Sequence, residues 1–404
     1  MNWWDRLWGR KASALETLPD FLMVTPTKSG QSVTFSTALQ VSTVLACCRV
    51  LAEGVSQVPL KVFKPRDEGG ADPATDHPLY FLLYRKPNGW QTSFEFRETM
   101  MLHLVLCGNF YAYKNYVGGR LYELLPLEPG KVTVNREADY SLSYTLTSDN
   151  GERRNLPASE IWHVRGPSWN SWMGMEAVKL AREAVGLSMA LEEAHARLHE
   201  NGVQPSGIYS IDGILSPEGH KSITAWIKAH ASGKMRGDPL ILDRAAKWVS
   251  QVMTGVDAQH IETRKFQVEE VCRALRVMPI MVGASDKTAT YASSEQMFLA
   301  HVVHHLAPWC ERIEQSIDVN LFTEADQRVG LYAKFNLNGL LRGAVKDRAA
   351  FYTMMWNVGA ISPDEIRAYE ELNPIPNGLG ANYFAPLNTA PLPTVIAGDP
   401  TAGA

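Results

Sequence analysis

Cysteine is scarce and unpaired in pattern. The 404 residues hold five, Cys47, Cys48, Cys107, Cys272 and Cys310, an odd number with no C-x-x-C spacing. This argues against a disulfide framework and a zinc ribbon. Cationic excess is absent too: 39 Lys and Arg stand against 43 Asp and Glu, a formal net charge of -4. Such a balance excludes the strongly basic footprint of a protein that grips phosphates along a groove. The longest apolar run, MMLHLVLC at 100–107, is interrupted by His103 and is far too short to span a bilayer. No G-x-S-x-G elbow, G-x-x-x-x-G-K-[ST] loop or G-x-G-x-x-G turn after a strand occurs, and TSDNGERRN lacks calcium-loop spacing. What is present is 45% apolar residues, enough to bury a sizeable core. A large globular chain without a reaction centre points to structure or assembly, so neither enzyme activity nor a cofactor is expected. With free thiols and no cleavable leader read in the sequence, a reducing, cytoplasmic compartment is expected.

One stretch invites a metal reading. Residues 301–305 read HVVHH, which sets His301, His304 and His305 three and four residues apart on one side of a helix. A zinc-protease helix needs a Glu beside its first His, and Val302 stands there instead. Cys310 lies five residues past His305, on a different side of the helix. Histidines packed on a helix flank are the plainer reading, and a metal-dependent hydrolase is the competing one. Cys47 and Cys48, set among Val44, Leu45, Ala46 and Val50, read as packing groups rather than nucleophiles. The opening MNWWDRLWGRK puts Trp3, Trp4, Leu7 and Trp8 on one helical face with Arg6, Arg10 and Lys11 around it. It reads as a membrane-surface helix or, more plainly, as a short docking arm.

Periodicity divides the rest. Apolar spacing predicts a helix from 36 to about Gln57, then a strand PLKVF. A short helix follows over His77–Arg85 and a longer one over Ser93–Cys107, capped by Thr92 or Ser93. Residues 109–164 read as short strands, which makes the first region α+β. Residues 175–201 predict one strut-like helix, 205–252 a small β-α-β-β module, and about 257–276 a second helix. After the break VMPIMVGASDKTATY comes a long helix over Ser293–Asp318. Its expected apolar face is Phe298, Val302, Leu306, Trp309, Ile313 and Ile317, with a kink at Pro308. A strand VGLYAKFN, two short helices and a Pro-, Ala- and Thr-rich tail expected to be disordered end the chain.

Six stretches in this order carry a resemblance: VLACCRVLAEGVSQVPLKVF, HPLYFLLYRKPNGWQTSFEFRETMMLHLVLCGNFYAYK, GMEAVKLAREAVGLSMALEEAHARLHENGVQPSGIY, FQVEEVCRALRVMP, ATYASSEQMFLAHVVHHLAPWCERIEQ and LLRGAVKDRAAFYTMMWNVGAISPDEIRAYEELNPIPNG. Together they resemble the portal protein family of tailed bacteriophages, up to about residue 388. The sequence departs from the family at Met278-Pro279-Ile280, where two prolines often stand, and at Gly343-Ala344, where Gly-Asp is common.

The resemblance implies a homo-oligomeric ring of twelve subunits at one capsid vertex, in the virion and in the host cytoplasm during assembly. Double-stranded DNA passes through it during packaging and ejection. The implied partners are the terminase large subunit, head-tail connector or adaptor proteins and the major capsid protein, with no membrane. A minor capsid or head-tail adaptor subunit is the other alternative. The implied parts are an N-terminal arm (1–35), a wing (36–174), a stem helix (175–204), a clip (205–253), a second stem helix (254–278) and a tunnel loop (279–292). A long kinked helix that returns to the wing (293–335), a crown (336–388) and the tail (389–404) follow. Ser285, Asp286, Lys287, Thr288 and Thr290 are the implied channel-facing residues. Around a ring, the histidines of HVVHH would form bands of imidazole and make assembly mildly acid-sensitive.

Overall fold

The computed structural model describes residues 27–66, 70–200, 207–210, 216–219, 221–222, 225, 247–250, 256–284, 291–341, 345–370 and 372–384. The N-terminal WWDRLWGRK stretch, most of the 205–253 module, residues 285–290 and the tail from 385 lie outside the described residues.

Apolar spacing from residue 36 gives two helices rather than one: α1 (Phe35–Gln40) and α2 (Ser42–Ser56). The backbone leaves helical geometry at Val41, with φ −73° and ψ 114°. Strands β1 (Leu60–Pro65) and β2 (Ala71–Pro73) follow, then helices α3 (Pro78–Tyr84) and α4 (Ser93–Cys107). Thr92 caps α4 through a capping box with Glu95, and Gly108, at φ 70°, ends it in the left-handed region that favours glycine.

Six short strands come next: β3 (Asn109–Val117), β4 (Arg120–Leu127), β5 (Val132–Arg136), β6 (Leu142–Thr147), β7 (Arg153–Pro157) and β8 (Ile161–Arg165). They form two antiparallel sheets, ordered β4-β3-β8 and β5-β6-β7. Alternation turns Val132, Val134, Tyr144, Leu146 and Leu156 of the second sheet inward, where they meet Tyr111, Leu127 and Ile161 in a small separate core.

The strut expected over 175–201 is divided. Helix α5 (Ala177–Leu180) stops at Ala181, whose φ −88° and ψ 5° are not helical, and the 19-residue α6 (Arg182–Glu200) carries on. In the inserted module, β9 (Gly207–Ser210) and β10 (Lys247–Ser250) pair antiparallel. Helix α7 (Val256–Leu275) returns from it and packs against α6 and α2. A 3-10 turn (Pro279–Val282) follows α7, and α8 (Tyr291–His301), a π turn (Val302–Leu306) and α9 (Ala307–Asn320) form one long rod. The chain ends in α10 (Glu324–Val329), β11 (Tyr332–Phe335), α11 (Asn338–Leu341), α12 (Val345–Asn357) and α13 (Pro363–Tyr369).

β11 pairs antiparallel with β1, Leu60 opposite Phe335, in a third sheet ordered β11-β1-β2. The long excursion through α6, β9, β10 and α7 therefore leaves and rejoins one body, whose mixed helices and strands make it α+β. Helix α2 is its axis: Val44, Cys47, Cys48, Leu51 and Val55 are all buried, enclosed by α4, α7 and the π turn. Gly54 lets the rod approach, since a Cβ there would stand 2.8 Å from Leu306 Cδ2. On the other side, buried Trp162 of β8 packs on Phe96 and Phe110 and donates from Nε1 to Ser316 Oγ at 3.0 Å. That bond joins the β4-β3-β8 sheet to α9.

Candidate functional site

HVVHH begins at His301, the last residue of α8, and runs through the π turn of the rod. Val302, Leu306, Cys310, Ile313 and Ile317 are buried against the body. The expected face had Trp309 where Cys310 sits, and Phe298 at its start. Phe298 is in fact 46% exposed and Trp309 only partly buried. The change is local: after the π turn the inward position falls four residues past Leu306, at Cys310, while Val302, Leu306, Ile313 and Ile317 are buried as expected. Pro308 sits in the first turn of α9, and the irregularity lies just N-terminal to it, at 302–306. There the wider turn accommodates the proline ring and the missing N–H.

Of the three histidines, His301 is buried, His305 partly buried and His304 exposed. The rings of His301 and His305 stack with centroids 5.3 Å apart, and neither Nδ1, both enclosed, has a hydrogen-bond partner. Among the described residues no group of three or more His, Cys, Asp or Glu could hold a metal ion. The five cysteines are free and buried, with Cys47 and Cys272 in sulfur contact at 3.8 Å between α2 and α7.

Two sharp turns frame the segment between α7 and α8. Arg276, at φ 55°, ends α7 while Val277 donates its N–H to Cys272 O at 2.8 Å. After the 3-10 turn, Gly283, at φ 81°, reverses the chain, and Ala284 donates back to Pro279 O at 3.0 Å. Ser285, Asp286, Lys287, Thr288 and Thr290 follow directly, outside the described residues.

The excursion is anchored to the sheets by a junction that sequence patterns did not show. Gly108, Gly166 and Gly174 pack backbone to backbone: a Cβ on Gly174 would stand 1.8 Å from Gly108 O, and one on Gly108 would stand 2.1 Å from Met175 O. Asn109 binds across it, donating from Nδ2 to Cys107 O (3.0 Å) and Gly174 O (3.1 Å) and accepting the Gly174 N–H at Oδ1 (2.8 Å). With Asn109 Oδ1 an acceptor, His163 Nε2 carries the proton it donates at 3.0 Å, and Nδ1 accepts the Tyr144 hydroxyl at 3.2 Å. Buried Arg97 makes a second hidden tie. Its guanidinium donates to Ser56 O (2.8 Å) and Leu83 O (3.2 Å), at the ends of α2 and α3, and to Ser93 Oγ.

Burial pushes His163 down to about 3, and His103 and His301 down to about 4, from an ordinary value of 6.5. Below pH 6.5 the unfolded chain binds protons that the folded rings refuse. Their contribution is therefore complete above pH 6.5 and is lost as pH falls through 6.5 toward 4. The thermal midpoint at pH 5 should lie below that at pH 7.5, and His301→Gln should narrow the gap; equal midpoints in scanning calorimetry would contradict this.

A groove of about 450 Å³ opens beside the rod. Buried Leu51, Leu104 and Leu275 floor it, and Met175, Leu180 and Trp309 wall it. Arg276 and Arg312 stand at its edge.

Comparison with known proteins identifies the family. The family described as "Phage portal protein" matches residues 42–371. The "Probable portal protein" of Streptomyces phage phiC31 is 29% identical over 371 residues, covering 89% of this chain and 80% of that one. The "Portal protein" of Enterobacteria phage HK97 is 30% identical over 345 residues, covering 84% and 80%. Among solved structures, the neck of a native gene transfer agent particle computed with C12 symmetry superposes with a TM-score of 0.60 at 20% identity, covering 84% of this chain and 94% of that one. With the family matched from α2 to the end of α13, and the same fold in a particle neck, this chain belongs to the phage portal protein family.

Proposed function

We propose that twelve copies of this chain form a ring at one capsid vertex, through which double-stranded DNA is packaged and ejected. The terminase large subunit docks on it first, head-tail connector proteins follow, and the major capsid protein surrounds it. The family match over residues 42–371 carries the reading, and the C12 symmetry of the gene transfer agent neck supports the subunit number. In this reading the sheets are the wing, α6 and α7 the stem, β9 and β10 part of the clip, 279–292 the tunnel loop and α11 to α13 the crown. The protein then resides in the virion and, during assembly, in the host cytoplasm.

The charge balance suits sliding. Each neutralised phosphate adds affinity and would act as a brake, whereas a net charge of -4 repeated around a ring repels DNA toward the axis. Negative-stain images of the purified protein should show rings with a central hole, and a population of compact monomers would end the proposal. At the channel, Lys287 beside Asp286 makes a balanced pair among hydroxyls. Lys287→Ala should change packaged-DNA length or retention while rings still form; particles with unchanged DNA would remove Lys287 from the lumen.

A further inference from the structure

We propose that the apolar groove beside the rod is the docking site of this chain's own N-terminal segment, residues 14–24. Leu51, Leu104 and Leu275 form a buried floor under Met175 and Leu180, which are 39% and 70% exposed. An apolar trough with walls this open is a surface built to be covered. Arg276 and Arg312 give it a cationic edge, and the Arg312 guanidinium lies 5.8 Å from the centroid of the Trp309 ring.

The described chain begins on α6, which follows directly on the Leu180–Ala181 wall of this trough. Thr27 is buried on α6, where a Cβ at Gly186 would stand 2.7 Å from Thr27 Cγ2, and Lys28 N–H donates to Glu183 Oε2 at 3.1 Å. Glu183 lies in the first turn of α6, three residues past exposed Leu180 at the end of α5 and one turn before exposed Leu187. Twenty-six residues precede Thr27. Phe21 is six residues from it, a reach of up to roughly 20 Å for extended chain.

The chemistry of the segment matches. ALETLPDFLMV (14–24) brings Leu15, Leu18, Phe21, Leu22, Met23 and Val24, and its charges are Glu16 and Asp20 with no Lys or Arg from 12 to 27. An apolar, acidic strip thus faces an apolar trough edged by two arginines, which gives both burial and charge complementarity. The arrangement does not depend on ring formation. It covers the groove in each copy by itself and leaves Trp3, Trp4 and Trp8 beyond the docked part.

Photo-crosslinking tests it in the full-length protein. With p-benzoylphenylalanine in place of Phe21, irradiation should give an adduct at the mass of one chain, mapping by mass spectrometry to peptides holding Leu180, Leu275 or Trp309. Adding Leu180→Asp, a change at an exposed position, should cut the adduct about tenfold, the weakening expected for about 1.4 kcal/mol of lost contact. An adduct at twice the chain mass would assign the groove to a neighbouring copy and overturn the proposal. So would an adduct mapping outside the groove, or none.

Discussion

Gly174→Ala is expected to yield no soluble folded protein. The added Cβ would lie 1.8 Å from Gly108 O, 2.8 Å from Gly108 C and 3.0 Å from Gly166 N, all of them backbone atoms. No rotamer change relieves such an overlap; the α4–β3 corner or the α5 entry has to move. Either movement also breaks the hydrogen bonds of Asn109 to both sides of Gly174. The cost should exceed about 4 kcal/mol, a large share of the roughly 5–15 kcal/mol that holds a domain together. Gly89→Ala serves as the control: nothing stands within 4 Å of a Cβ there, and its midpoint should be unchanged. Soluble yield and far-UV circular dichroism separate the two, and a Gly174→Ala chain that melts like the parent would refute this packing.

Arg97→Ala should fold but lose roughly 3–5 kcal/mol in urea unfolding, because it strips the donor from the buried Ser56 carbonyl, leaves Leu83 O to Ser93 Oγ alone and opens a void. Burial already disfavours the guanidinium charge, holding it down at about 10, and its Nε has no partner. The residue therefore costs something to bury and offsets that cost by closing three helix ends at once. Arg97→Lys should recover only part of the loss, since one ammonium cannot span Ser56 O and Leu83 O as a planar fork does. A loss below 1 kcal/mol for Arg97→Ala would mean that water replaces the guanidinium.

Much of the architecture was legible because the signals are local. Thr92 with Glu95 and Gly108 bracket α4 as a capping box and a left-handed stop should. The order of stretches was specific enough to indicate the family. What escaped is long-range or too gentle to mark. Alanine, the best helix former, sits at the Ala181 break, so no residue announces it. Pro308 signals an irregular rod but not a π turn before it, so the burial of Cys310, with Trp309 only partly buried beside it, was not legible. Gly108, Gly166 and Gly174 meet only in three dimensions, where spacing along the chain says nothing. Nothing local in the sequence marks Arg97 as buried, because the three helix ends it joins come together only in the fold. The implied channel residues, 285–290, lie outside the described residues.

The pairing of β1 with β11 bears on how the chain is made. Leu60 waits for Phe335, a partner 275 residues later. At about 5–20 residues per second, a ribosome needs roughly 14 to 55 s to deliver it. For that interval one long edge of β1 has no native strand to bind. The nascent chain therefore spends most of its synthesis with an open template for mispairing, a natural point for a holding chaperone to act.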